Sequence, residues 1–212
     1  MRPTRFSEII GLEGMVDSIR NKIEGGCPRA FLFVGPYGTG KTTLAKIVAR
    51  EIQGPFFPPD MEPQVREINA ANFTGVDDMR QLVEKCHAYP MPPSTHGVVI
   101  LDEAHMLSKQ AQNLLLKEFE LPNSPTVWMI CTTDENKILE GLRSGRTFKI
   151  QTMGMGDKER RALVARAAEN TRHSGDIEAF CLALKANAVS SPRAVLMAFE
   201  LWHCGQSIAE AV

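Results

Sequence analysis

The sequence predicts an α/β fold, a five-stranded parallel sheet flanked by helices and followed by a small all-helical domain. Three observations predict it. Residues 35–42, Gly-Pro-Tyr-Gly-Thr-Gly-Lys-Thr, match G-x-x-x-x-G-K-[ST] at every fixed position, between an apolar run at 30–34 and the helically spaced Leu44, Ile47 and Val48. A second apolar run, 97–101, ends in the two carboxylates Asp102 and Glu103. The strand pattern stops near residue 153, and only helical spacing follows. Residues 1–153 are therefore expected to form a nucleotide-binding core and residues 154–212 a helical domain.

Composition sets bounds. An apolar content of 43% and a charged content of 23% are ordinary for a globular chain. A formal net charge of −1 gives no bulk basic field for nucleic acid, although helix N-termini and single arginines can grip phosphates locally. No apolar run approaches the roughly 18 residues of a membrane span, and the N-terminus lacks a signal peptide's apolar core. The five cysteines (27, 86, 131, 181, 204) form no C-x-x-C pair. That pattern argues for reduced thiols in a cytoplasmic setting, and against zinc or a disulfide frame.

In chain order, residues 2–10 read as an extended arm, and Val16, Ile19 and Ile23 as a helix face ended by Gly25-Gly26. This segment lies over a nucleotide base or simply packs in the core; the residues leave both open. The run 30–34 is a buried parallel strand. At its end Gly35, Gly38 and Gly40, interleaved with Pro36, Tyr37 and Thr39, let the backbone wrap a phosphate. The N–H groups up to Thr43 and the helix dipole point at one place. Lys41 is expected to reach the β- and γ-phosphates and the Thr42 hydroxyl to hold Mg²⁺, so the chain is expected to bind a nucleoside triphosphate.

Four prolines make 54–64 a loop, and 65–69 is the second strand. Val76, Met79, Leu82, Val83 and Cys86 mark the next helix, with Thr74 and Asp77 as alternative caps, stopping before Pro90. Beyond the third strand, Asp102 is expected to hold Mg²⁺ directly or through water, Glu103 to accept a proton from attacking water, and His105 to orient neighbours. Ala111, Leu114, Leu115 and Phe119 face inward from a helix over 108–119. The fourth strand, 126–133, ends in Thr132 and Thr133, of which only one can face the γ-phosphate because adjacent strand residues point oppositely. Residues 138–146 close the core before a last strand at 147–151, and 153–156 read as a hinge. Three helices follow at about 157–170, 175–187 and 191–204, the third with Pro192 in its first turn. Arg193 beside it reads, on the residues alone, as a solvated arginine rather than one reaching the γ-phosphate.

Several ordered stretches carry a resemblance. They are Arg2-Pro-x-x-Phe6-x-Glu8-Ile-Ile-Gly11, the glycine loop, and Glu67 to Arg80 with its Thr-Gly-Val-Asp-Asp. Further on come Leu101-Asp-Glu-Ala-His-Met-Leu-Ser108, Asn113-Leu-Leu-Leu-Lys117 and Cys131-Thr-Thr-Asp-x-x-Lys137. Through them residues 2–210 resemble the AAA+ ATPases, and within these the clamp-loader ATPase subunits, particularly the bacterial gamma/tau subunit. The resemblance implies ATP and Mg²⁺ as cofactors, with Lys41 and Thr42 on phosphate and metal and Asp102 and Glu103 as metal ligand and base. It further implies Thr133 as the sensor on the fourth strand, Arg193 as the lid's sensor arginine, and residues around Ile10 and Gly11 as the adenine pocket. It also implies an oligomer with ATP between subunits and an arginine finger supplied in trans.

Three departures stand out. Ser144-Gly-Arg146 replaces the family's Ser-Arg-Cys, so that the finger is Arg146, or else Arg143, or trans activation is altered. The cysteine zinc module gives way to the proline loop. Residue 212 falls where the family's helical collar begins, so assembly is expected through the ATPase faces alone, or through a partner, unless the chain does something else. The expected function is an ATPase of DNA replication in a bacterial or viral setting, loading a sliding clamp on primed DNA. Another DNA-acting motor (branch migration or helicase loading) and a structural subunit that binds ATP without turnover are the alternatives.

Overall fold

A computed structural model describes residues 2–54, 65–72, 75–87, 96–121 and 124–212. By packing the chain divides into two units. The first comprises residues 1–7, 14–35 and 41–151, the second residues 8–13, 36–40 and 152–212.

The first unit is built on five parallel strands. They are β1 (Ala30–Val34), β2 (Val65–Asn69), β3 (Gly97–Asp102), β4 (Thr126–Thr132) and β5 (Phe148–Gln151), in the order β2-β3-β4-β1-β5. Central strands β1 and β4 are buried at every residue, as expected of a parallel sheet covered on both faces. Edge strand β2 is largely exposed or half-buried. Helix α1 (Glu13–Glu24) ends at Gly25, whose amide donates to the Asn21 carbonyl at 3.0 Å. Helix α2 (Lys41–Gln53) packs on β1, β3 and β4 through a face including Leu44, Ile47 and Val48. On the opposite face Leu32, Leu101, Trp128 and Ile130 meet Met79 and Leu82 of α3 (Val76–His87) and Ala111, Leu115 and Phe119 of α4 (Lys109–Glu120). A short helix, α5 (Glu140–Arg143), precedes β5.

Register is what matters for chemistry. Val34 pairs with Thr132, Asn69 with Asp102 and Leu101 with Ile130, so the carboxyl ends of β1, β3 and β4 finish along one edge. In an open parallel sheet that edge is where ligands bind.

Of the two alternative caps expected for α3, one is overturned. Asp77 is not a cap: it lies inside the first turn of α3, where its charge favours the helix dipole and pairs with Arg80 at 3.1 Å. Thr74, the alternative, falls outside the described residues, as do most of the proline loop and Pro90. Ser108, by contrast, caps α4, its hydroxyl accepting from the Ala111 amide at 3.2 Å. Gln112, buried in α4, holds the chain after β4, donating to the Leu107 and Lys137 carbonyls at 3.1 Å each and accepting from the Leu139 amide at 2.8 Å.

The second unit holds α6 (Asp157–Thr171), α7 (Ile177–Ala186) and α8 (Pro192–His203), and adds a fourth helix, α9 (Ile208–Ala211), that the periodicity did not predict. One turn is too short to show a helical repeat. Its start is held by Glu210, whose carboxylate accepts from the Ser207 amide at 3.0 Å and hydroxyl at 2.7 Å. The core joins Val164, Phe180, Leu184, Val195, Phe199 and Trp202, with Phe180 and Trp202 stacked at 4.5 Å. Arg160 is buried and satisfied, donating to the Val189 carbonyl at 2.9 Å and to Asp157 at 2.8 Å. No helix among the described residues is long and apolar enough to cross a membrane.

Candidate functional site

At the carboxyl edge of the sheet, two sequence-distant oxygens meet. The Thr42 hydroxyl, in the first turn of α2, donates to Asp102 Oδ2 at the end of β3 at 3.0 Å, across a separation of 60 residues. The other oxygen, Asp102 Oδ1, accepts from the Glu103 amide at 3.1 Å. A hydroxyl and a carboxylate side by side are the hard oxygen donors that suit Mg²⁺, so these residues fit the ion. Lys41 is only 6% exposed, and its ammonium donates to the Gly35 carbonyl at 2.9 Å. Cys131 of β4 lies fully buried nearby, where burial first, and the Asp102 charge next, push its thiol well above the usual range. It stays a neutral packing group.

Glu103 departs from ordinary geometry. Its backbone is left-handed, φ 53° and ψ 41°, a conformation that costs a side-chain-bearing residue about 1–3 kcal/mol. Nothing in the sequence signals this. Its Oε2 atom is buried without a hydrogen-bond partner among the described residues, and His105 Nδ1 lies 3.5 Å away.

The strand-end threonines separate. Thr132 is the last residue of β4 and fully buried; its hydroxyl donates to the Asp134 carbonyl at 3.0 Å and accepts from the Asp134 amide at 3.1 Å. Thr133 stands just outside the strand, contrary to the expected end at 133, and is half-buried. Of the candidate fingers, Arg146 is exposed and pairs with Glu120 at 2.8 Å, after a turn in which Gly145 takes φ +73°. Arg143 is half-buried, its Nε lacking a partner among the described residues.

Within the second unit, loop residues 36–40 pack against the start of α8. The Arg193 amide donates to the Gly38 carbonyl at 3.3 Å, and the exposed Arg193 side chain begins beside the loop. Thr39 is buried, donating to the Pro36 carbonyl at 2.8 Å and meeting the Thr152 hydroxyl at 2.7 Å. Gly40 has φ +90° and open space where a Cβ would stand. Pro36 and Tyr37 are exposed, and Ile10 is half-buried. Gly11 lies against α6, where a Cβ would meet Glu159 Cγ at 2.5 Å; nearby, Arg166 donates to the Glu8 carbonyl. Thr152, which meets Thr39, and Glu120, which pairs with Arg146, carried no signal in the sequence because each acts through a distant partner.

Gly38 has φ +73°, and a Cβ on it would stand 3.0 Å from Ser191 Oγ and 3.1 Å from Arg193 Cβ. Gly38→Ala is therefore expected to lower the chain's unfolding free energy by about 1–2 kcal/mol, the usual cost of a left-handed alanine. Urea unfolding checks this; an unchanged midpoint would show that the loop relaxes freely.

Comparison with known proteins places this geometry. Residues 31–155 match the family model described as "ATPase family associated with various cellular activities (AAA)". The DNA polymerase III subunit gamma/tau of Mycobacterium tuberculosis is 33% identical over 213 residues, covering 92% of this chain and 36% of that protein. A replication factor C small subunit 2 of Pyrobaculum arsenaticum is 32% identical over 151 residues, covering 71% of this chain and 45% of that one. The chain thus spans less than half the length of these relatives. Among solved structures, the Thermotoga maritima RuvB Holliday junction branch migration motor superposes with a TM-score of 0.75 over 99% of this chain and 71% of that one, at 20% identity.

Proposed function

The chain belongs to the AAA family of ATPases, and on that premise we propose that it binds and hydrolyses ATP to remodel a protein–DNA complex in replication, loading a sliding clamp on primed DNA. The observation that carries the reading is the Thr42–Asp102 hydrogen bond, which joins the end of the glycine loop to the strand carboxylate beside Glu103. The similarity to gamma/tau and replication factor C subunits supports the replication setting.

In this reading residues 1–153 are the nucleotide-binding core and 154–212 the lid. Gly35 to Thr43 hold the phosphates, Lys41 pairs with their anionic oxygens, and Ile10 and Gly11 line the adenine pocket. Thr42 and Asp102 hold Mg²⁺, which when bound neutralises charge on the β- and γ-phosphate oxygens. Glu103 accepts a proton from the water whose oxygen bonds the γ-phosphorus, as the bond to the departing ADP oxygen breaks. Thr133 and Arg193 sense the γ-phosphate, and Arg146 serves a neighbouring subunit's ATP in a homo- or hetero-oligomer. The setting is cytoplasmic, in a bacterial or viral replication system.

The test is ATP turnover per subunit across a wide protein concentration range, with and without primed DNA. The specific rate is expected to climb with concentration and again with primed DNA and a clamp. A rate independent of concentration would remove Arg146 as a finger for a neighbour. The fold likeness to a branch-migration motor over nearly the whole chain favours a second reading, which stimulation by four-way junctions rather than primed DNA would select. ATP binding without turnover would select a structural subunit instead.

A further inference from the structure

We propose that His105 is the positioning residue for Glu103, its ring carrying a proton on Nδ1 and sharing it between the Glu103 carboxylate and the tip of β4 at Thr132. The inference rests on reading Glu103 as the base. Both residues sit in the first unit and are mostly buried, with side chains 13% and 19% exposed. His105 Nδ1 lies 3.4 Å from Thr132 Oγ1 and 3.5 Å from Glu103 Oε2, so one nitrogen faces two oxygens.

Proton accounting decides the tautomer. A threonine hydroxyl has one proton, and that of Thr132 is committed to the Asp134 carbonyl at 3.0 Å. Toward the ring Thr132 Oγ1 therefore only accepts. Glu103 Oε2, a carboxylate oxygen, also only accepts, and is buried with no hydrogen bond among the described residues. A lone pair on Nδ1 would set three acceptors face to face and leave a buried anionic oxygen uncompensated. With the proton on Nδ1, both oxygens gain a shared, three-centre donor, long on each branch. The contact ties one oxygen of Glu103 to the end of β4 and leaves the other to take a proton from water. It also gives the left-handed backbone at Glu103 a consequence, since a side chain leaving the strand in that direction reaches the ring of the residue two positions on.

Two measurements test this on the full chain. Long-range ¹H–¹⁵N spectra at about pH 8, above the ordinary histidine range, are expected to show the Nδ1–H tautomer; an Nε2–H ring overturns the proposal whether or not ATP is hydrolysed. His105→Ala is expected to lower kcat about 10–100-fold, the usual loss when an orienting partner is removed, with the KM for ATP changed less than about twofold. His105→Asn, whose side-chain amide N–H falls near the place of Nδ1, should recover most of the rate. Equal losses in the alanine and asparagine variants, or a wild-type rate in the alanine variant, would reduce His105 to packing. A wild-type chain that binds ATP without turnover would defeat the ATPase reading alone, while the tautomer would still decide this one.

Discussion

Lys41→Ala is expected to abolish tight ATP binding. The ammonium is 6% exposed and held by the Gly35 carbonyl at 2.9 Å, so it is already poised at the start of α2 with little rotamer freedom left to lose. In the proposed site a triphosphate would bring several negative charges into the same low-dielectric place. Truncating one partner of a buried, hydrogen-bonded charge pair costs about 2–5 kcal/mol, which corresponds to a loss of affinity from roughly thirtyfold to several thousandfold. Calorimetric titration of the variant with ATP measures it. Affinity within about threefold of wild type would show that the loop does not cradle phosphates. Lys41→Arg is not expected to rescue, because a planar, bulkier guanidinium cannot take the place of a compact, buried ammonium held by the Gly35 carbonyl.

Glu103→Gln should separate binding from chemistry. The amide keeps the shape of the carboxylate but cannot take the proton of the attacking water, so turnover falls at least about a hundredfold while ATP affinity stays near wild type. Single-turnover hydrolysis beside a binding titration distinguishes the two. A variant that hydrolyses at the wild-type rate would remove Glu103 as base. Glu103→Gly tests the backbone argument at the same position. Glycine adopts φ 53° without strain, so this variant should be inactive yet at least as resistant to urea as wild type. The strain at Glu103 is then a cost that activity imposes on stability.

Much of the fold was legible. Runs 30–34, 97–101 and 126–133 read as strands because each is short and largely apolar, the last ending one residue earlier than expected, and the helix expected from Ser108 is there, with Ser108 as its cap. Asp77 misled because a cap and a first-turn acid look alike when helix start is uncertain by one or two residues. Helix α9 was missed for want of length. At the candidate site, Lys41, Thr42, Asp102 and Glu103 are named by motif and spacing, and the structure brings Thr42, Asp102 and Glu103 together. Their geometry was not: the left-handed Glu103 and the link through His105 to Thr132 depend on where β4 lies.

What the sequence by itself determined are the local features: the glycine loop between strand and helix, the carboxylate pair ending a strand, and the change from strand to helix periodicity near residue 153. Each is set within a few residues by steric freedom, side-chain period or chain polarity. Only the tertiary structure decided the order β2-β3-β4-β1-β5, the meeting of Thr42 with Asp102, and the crowding of Gly38 by Ser191 and Arg193. These join residues tens of positions apart, and such pairings are chosen by which whole faces bury together, a property of the folded chain that no local stretch contains.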